Sequence, residues 1–379
     1  MSSFSIQAKD FVILAIGLVI GVVIQDPLIK LKDKQLAKLS RRMTQKRMSK
    51  ITAAIDNRGD IYIGSEAVHI LLTAPNGFAE KNIRCSLNSQ DYSSTLSNQL
   101  DQIPHGLRPA STSAILNQIS QFTPGPGEWD GEKLALKFAQ QSRTADGRET
   151  PIVDLEFGTS KYSAFSIISS LWKNHFESIV AESHEPLDLD QVIPGLSHSF
   201  GVNLTLRTAD NKLLLTTRSA KTNSGRQFRH IAVNEGLSIE DRNSSKHPDL
   251  FACARRGVKE ELGIDLATDG SNSGAKMSIH TIALDVNRYQ WAALGHVDLS
   301  HTEITEAVIR QARAIGTAQD KFETTELIFL PCTLDAVLEE LTKNTDWIAH
   351  GWTNLLNSAI LIWPKEAERI LKSTQKIVG

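Results

Sequence analysis

Cysteine is scarce in this chain. The three that occur, Cys85, Cys253 and Cys332, are odd in number and far apart, which excludes a disulfide framework and leaves no pair at zinc-ligand spacing. Free thiols in a reducing compartment are the expectation. Net charge is also small: 41 Lys and Arg against 43 Asp and Glu leave −2. No overall cationic field therefore draws the protein to nucleic acid, and no nucleic-acid partner is expected. No internal repeat is visible.

What is there begins with one apolar run, residues 11–24, closed by Gln25, Asp26 and Pro27. A bilayer span needs about 20 residues, so a run this short also suits a buried core helix or a signal-peptide core. The flanks favour a span. Only Lys9, offset by Asp10, precedes the run, whereas Lys30, Lys32, Lys34, Lys38, Arg41, Arg42, Lys46, Arg47 and Lys50 follow it against Asp33 alone. A signal peptide has the opposite charge order. The charge bias predicts a single-pass anchor at 1–27 with its N-terminus outside and the rest of the chain cytoplasmic. Gly17 and Gly21 form a Gly-x-x-x-Gly face that lets a second helix approach, predicting a homo-oligomer; the plainer reading is that glycine is common in membrane helices.

Residues 28–54 read as a basic helical stalk touching anionic lipid, with Leu31, Leu36, Leu39 and Met43 at helical spacing. Residues 55–187 read as an α+β middle domain whose fold and role have no signature. Strands are expected there at 61–63, 68–72 and 151–157, with a turn at Pro75-Asn76-Gly77 and helices at 110–122, 133–142 and 162–181. Residues 188–379 read as a further domain. Its strands at 200–207 and 213–218 flank a turn at Asp210-Asn211. A helix running through Glu261, strands at 279–286 and 292–297, a helix at 303–314, a strand at 327–330 and helices from Leu334 follow. The class expected is α+β.

The stretch Arg256-Gly257-Val258-Lys259-Glu260-Glu261-Leu262-Gly263-Ile264 carries the strongest chemical signal. Arg256 and Glu260 are one helical turn apart, so the guanidinium can hold the carboxylate. Gly263 suits a helix-ending left-handed cap. The stretch resembles the end of a Nudix box, with Gly257 where that family has its first glutamate. Upstream, Glu235-Gly236 resembles the start of the box, and the span from Gly236 to Arg256 is longer than the family's. The family's mid-loop glutamate has no clean counterpart; Glu240 or Asp241 stands nearest. The resemblance covers roughly 196–331 and implies a C-terminal α/β/α sandwich behind the transmembrane helix and middle region.

The resemblance also implies a site. Glu260, Glu261 and Arg256 would be catalytic. Glu260 and Glu261 with Glu326 would hold Mg²⁺, a hard cation that takes oxygen ligands, and Glu323 lies close to Glu326. Gly236, Arg226, Arg229 and Arg255 would bind ligand, within a cationic group that also includes Arg218, Lys221, His230, Arg242, Lys246 and His247. Set against this, a helix ending Glu-Glu-Leu-Gly is ordinary, and the charges also suit a solvated surface. Gly257 removes one carboxylate and costs about 1 kcal/mol in mid-helix relative to alanine.

Anchor, stalk, middle domain and Nudix-like domain together resemble the transmembrane-Nudix effectors of bacterial anti-phage cyclic-oligonucleotide signalling. That architecture implies an effector at the bacterial inner membrane that binds a cyclic oligonucleotide or other nucleotide and acts on inner-membrane lipid. The alternatives are a tethered Mg²⁺-dependent hydrolase of a nucleoside diphosphate derivative, and a Nudix-like module that binds only a protein partner.

Overall fold

Alternation builds the centre of the molecule. In β6 (Phe200–Arg207), Phe200, Val202, Leu204 and Leu206 fall on one face, because successive side chains of a strand point to opposite sides. In β7 (Lys212–Arg218), Leu214 joins that face, while Leu213 and Leu215 join a second core behind the sheet. Asn211, at φ 60°, turns the chain between the two strands. In the computed structural model the described residues are 60–366, except 64–65, 89–91, 102, 104–111, 124–129, 145–149, 183–187, 220–226, 267–273, 319–323 and 345.

A nine-stranded mixed sheet organises the described residues. β1 (Asp60–Ile63) and β2 (Glu66–Phe78) form one end. β2 pairs antiparallel with β10 (Lys276–Asp285), which pairs antiparallel with β11 (Gln290–Asp298). β11 runs parallel to β6, and β7 pairs with β12 (Thr324–Pro331) at the far end. The short β8 (Arg229–Ile231) and β9 (Val233–Gly236) join β7 and β6. A second sheet has the order β3 (Ile83–Asn88), β5 (Pro151–Lys161) and β4 (Glu132–Arg143).

Helices α1 (Tyr92–Asp101) and α2 (Thr112–Ser120) precede β4, and α3 (Tyr162–Glu182) follows β5. Helix α4 (Leu250–Leu262) packs on the first face of the large sheet, and α5 (Glu306–Ile315) adds Ile309 and Ala312 to the same core. Helices α6 (Leu334–Lys343) and α7 (Ala349–Ile362) cover the other face. One apolar core joins Leu134, Val153 and Phe157 of the small sheet to Val202, Leu204 and Leu250, so it crosses the boundary drawn at Asp188. Lys137 adds polar ties across it, donating to Pro194 O at 3.0 Å and Ser197 O at 2.9 Å.

Several expectations change. The class is α+β with mixed sheets, but the predicted N-terminal transmembrane helix and inner-membrane location are corrected: among the described residues no helix is long and apolar enough to cross a membrane. The longest, α3, breaks its apolar run at Lys173 and Asn174. The segment read as an anchor (1–27), its Gly17 and Gly21 face and the stalk (28–54) lie outside the described residues. Residues 133–142 form a strand instead of a helix, because register with β5 over residues 132–143 outweighs a weak local pattern. Pro75-Asn76-Gly77 does not end β2; it bulges out of the ladder, with Gly77 at φ 75°, between the Thr73–Thr281 and Phe78–Ile279 pairs.

Candidate functional site

Helix α4 is fixed at both ends. The Asp249 carboxylate accepts from Phe251 N (2.8 Å) and Ala252 N (3.0 Å), and Gly263 closes the helix in the left-handed region at φ 74°. The cap contributes about 1 kcal/mol and sets where the helix starts. Phe251, Cys253, Ala254, Val258 and Leu262 then face the core, and Arg256 lies over the loop that follows β9.

Arg256 is the hub. Its Nε and Nη2 hold both Asp241 oxygens at 2.8 Å, a bidentate pair. Nη1 reaches Glu260 and Glu235 at 3.0 Å each, and Nη2 also donates to Gly236 O at 2.9 Å. Burial opposes the Arg256 charge, but the Asp241 hydrogen bonds and Glu235 outweigh it and hold its pKa above the ordinary arginine value. Of the two mid-loop candidates, Asp241 is the one that meets Arg256. It also accepts from Ser238 N and Ser238 Oγ, which shapes the loop.

Gly257 has a steric reason. A Cβ placed there would lie 2.7 Å from both Glu235 Cβ and Val233 Cγ1. Helix α4 rests directly on β9 at this point, and Glu235 starts from the space that a glutamate at 257 would use. A carboxylate is thus present, supplied by the strand. Burial pushes the Glu235 carboxyl up to about 7 and Glu260 adds to the rise, while Arg256 and Lys133 pull the other way. The Arg256 contact lowers that value less than burial raises it.

The other predicted residues disperse. Glu261 is buried and accepts from Asn234 N at 2.8 Å, pinning α4 to β9. Arg229 donates to Thr217 Oγ1 (2.9 Å) and pairs with Glu326 (3.4 Å) and Glu340 (3.5 Å). Glu326 also accepts from Thr217, so Arg229 and Glu326 tie β8 to β12 instead of meeting Glu260 or Glu261. Arg255 reaches Glu80 (3.4 Å) and Asp249 (3.9 Å). His230 is buried, and burial with Arg218 nearby holds its pKa well down. Lys246 and His247 lie exposed on the loop, and Arg226, Lys221 and Glu323 fall outside the described residues.

The Mg²⁺ set of Glu260, Glu261 and Glu326 is therefore not gathered. Among the described residues no three His, Cys, Asp or Glu side chains form a group able to hold a metal ion. These residues do not fit the cation that the box resemblance implies.

No protein-family model matches this chain, and no curated protein does. Nineteen solved chains match. Among them is the crystal structure of DR0079 from Deinococcus radiodurans, 11% identical, covering 38% of this chain and 72% of that one, with a TM-score of 0.25. At that TM-score the likeness supports no conclusion about fold or activity.

Sequence reading missed Glu235 and Lys133 as site residues. Glu235 had a signal: an acid immediately before the box glycine, in a chain whose box helix has lost one. Lys133 had none, because it comes from β4, and backbone pairing of Lys133 and Leu134 with Ser238 and Leu237 brings it to the loop.

Proposed function

We propose that this chain is a nucleotide-binding module that holds a phosphorylated nucleotide, such as a nucleoside diphosphate derivative or a cyclic oligonucleotide, without hydrolysing it. The nucleotide class comes from the resemblance of Gly236 and Arg256–Ile264 to a Nudix box. The loss of hydrolysis rests on one observation. The two acids retained in the box are both engaged within the protein, Glu260 by Arg256 at 3.0 Å and Glu261 by the Asn234 amide at 2.8 Å. Each carboxylate thus has one oxygen already committed within the protein, which leaves it fewer free oxygens for the octahedral shell of Mg²⁺.

Calorimetric titration with nucleoside diphosphate derivatives and cyclic di- and trinucleotides tests this reading. Binding that persists in EDTA, without cleavage, is the expected result. Mg²⁺-dependent turnover that disappears in the E260Q/E261Q double variant would overturn it.

The hydrolase reading keeps one observation of its own, the Glu235 carboxyl pushed up to about 7, in the range suited to a general base. Any turnover that E235Q abolishes and E260Q spares would favour it.

A further inference from the structure

The box as it stands carries more acid than base. Glu235, Asp241 and Glu260 surround the single charge of Arg256. A phosphate approaching this loop meets net negative charge unless another cation is at hand. Two of the predicted ligand arginines are committed: Arg255 to Glu80 and Asp249, Arg229 to Glu326 and Glu340.

Lys133 differs from them. It begins β4 in the small sheet, and backbone pairing carries it to the box: Lys133 bridges antiparallel to Ser238, and Leu134 N donates to Leu237 O at 3.0 Å. Its Nζ lies 2.8 Å from the point that a Cβ on Gly236 would occupy. The absence of a side chain at 236 leaves that place to the ammonium. Its field reaches Glu235 and, behind that of Arg256, offsets part of the rise that burial causes in that carboxyl. Among the described residues the Lys133 ammonium has no hydrogen-bond or ion-pair partner, although the residue is half-buried.

We propose that Lys133 is a ligand-binding residue of the box, its ammonium at Gly236 taking a phosphate group of the bound nucleotide. An ammonium is a compact charge with three donors, so it can face Glu235 and still give hydrogen bonds to phosphate oxygens. The small sheet then completes a site whose other residues all lie beyond Asp188. The proposal rests on the nucleotide-binding reading and adds the residue that meets the phosphate.

The test is calorimetric titration of the full chain, in EDTA, with two probes: inorganic pyrophosphate and ADP. K133A is expected to weaken both by about ten- to a hundred-fold, the loss of one charge-assisted contact. K133R should recover part of that loss. R143A, at the exposed far end of the same strand, should bind like the wild type. Melting curves matched to wild type show that K133A folds. If K133A fails to fold, G236V substitutes for it, since a side chain there displaces the ammonium with Lys133 still present. Wild-type binding that K133A leaves unchanged overturns this proposal alone. No wild-type binding of either probe overturns this proposal, and the nucleotide-binding reading falls with it when the cyclic di- and trinucleotides also fail to bind.

Discussion

The two faces of the large sheet solve the same problem differently. On the α4 face, the charges around Arg256 are paired: Arg256 meets Asp241, Glu235, Glu260 and Gly236 O, and Glu261 meets the Asn234 amide. On the α7 face, polar side chains are just as buried but under-partnered. Asn354 donates to Asn203 O and Gly295 O at 2.9 and 3.1 Å, bridging the parallel strands β6 and β11. Around it, Thr205 Oγ1, His296 Nδ1, Thr353 Oγ1 and Ser358 Oγ have no hydrogen-bond partner among the described residues. A saturated network fixes one geometry, whereas each unpartnered buried group costs about 1–3 kcal/mol. The box face is therefore the rigid one, and the α7 face has stability to gain.

Breaking the paired face should produce the largest effect. R256A strands Asp241 and Glu235 in the interior, and a loss of about 3–5 kcal/mol is expected in urea denaturation. A loss below about 1 kcal/mol would mean that the network does not fix α4.

Acid should separate the faces next. On the α7 side, burial lowers His280 to about 3 and His296 and His350 to about 4, against an ordinary 6.5. The unfolded chain takes up these protons first. Their contribution is therefore complete above pH 6.5 and is lost as pH falls toward 4. Glu235 has the opposite sign. The folded state keeps its proton up to about 7 while the unfolded chain releases it near 4.5, so stability falls as pH rises through that window. E235Q should therefore steepen the rise in stability between pH 4.5 and 6.5. An unchanged slope, read from urea midpoints across that range, would contradict the assignment.

Restoring the family's residue should do less. G257E places a side chain against Glu235 and Val233, and about 1–3 kcal/mol of destabilisation is expected without any Mg²⁺-dependent activity. The smallest effect belongs to T353V. It removes an unpartnered hydroxyl at nearly constant shape, so stability should stay within about 0.5 kcal/mol of wild type or rise. A large loss would reveal a partner for that oxygen.

How far the sequence reached follows from the range of each interaction. The β6–β7 hairpin was readable because alternation and the Asp210-Asn211 turn are local. The Arg256–Glu260 pair was readable because both lie on one helix, one turn apart. Glu235 against Gly257 was not, since it depends on how closely α4 settles on β9. Lys133 was doubly hidden. Its segment has a pattern close enough to helical to be misread, and its place at Gly236 follows from β4 joining a loop about a hundred residues later. Arg229 and Glu326 show the converse error: charges near the motif in sequence served to pair strands at the sheet edge.

The central claim is that the box is closed by its own arginine and so holds no divalent cation. Mn²⁺, a paramagnetic stand-in for Mg²⁺, tests it directly when free ion is measured by electron paramagnetic resonance during titration of the full chain. The account predicts no saturable site in the wild type and the same curve for E260Q. A stoichiometric site that E260Q removes would contradict it.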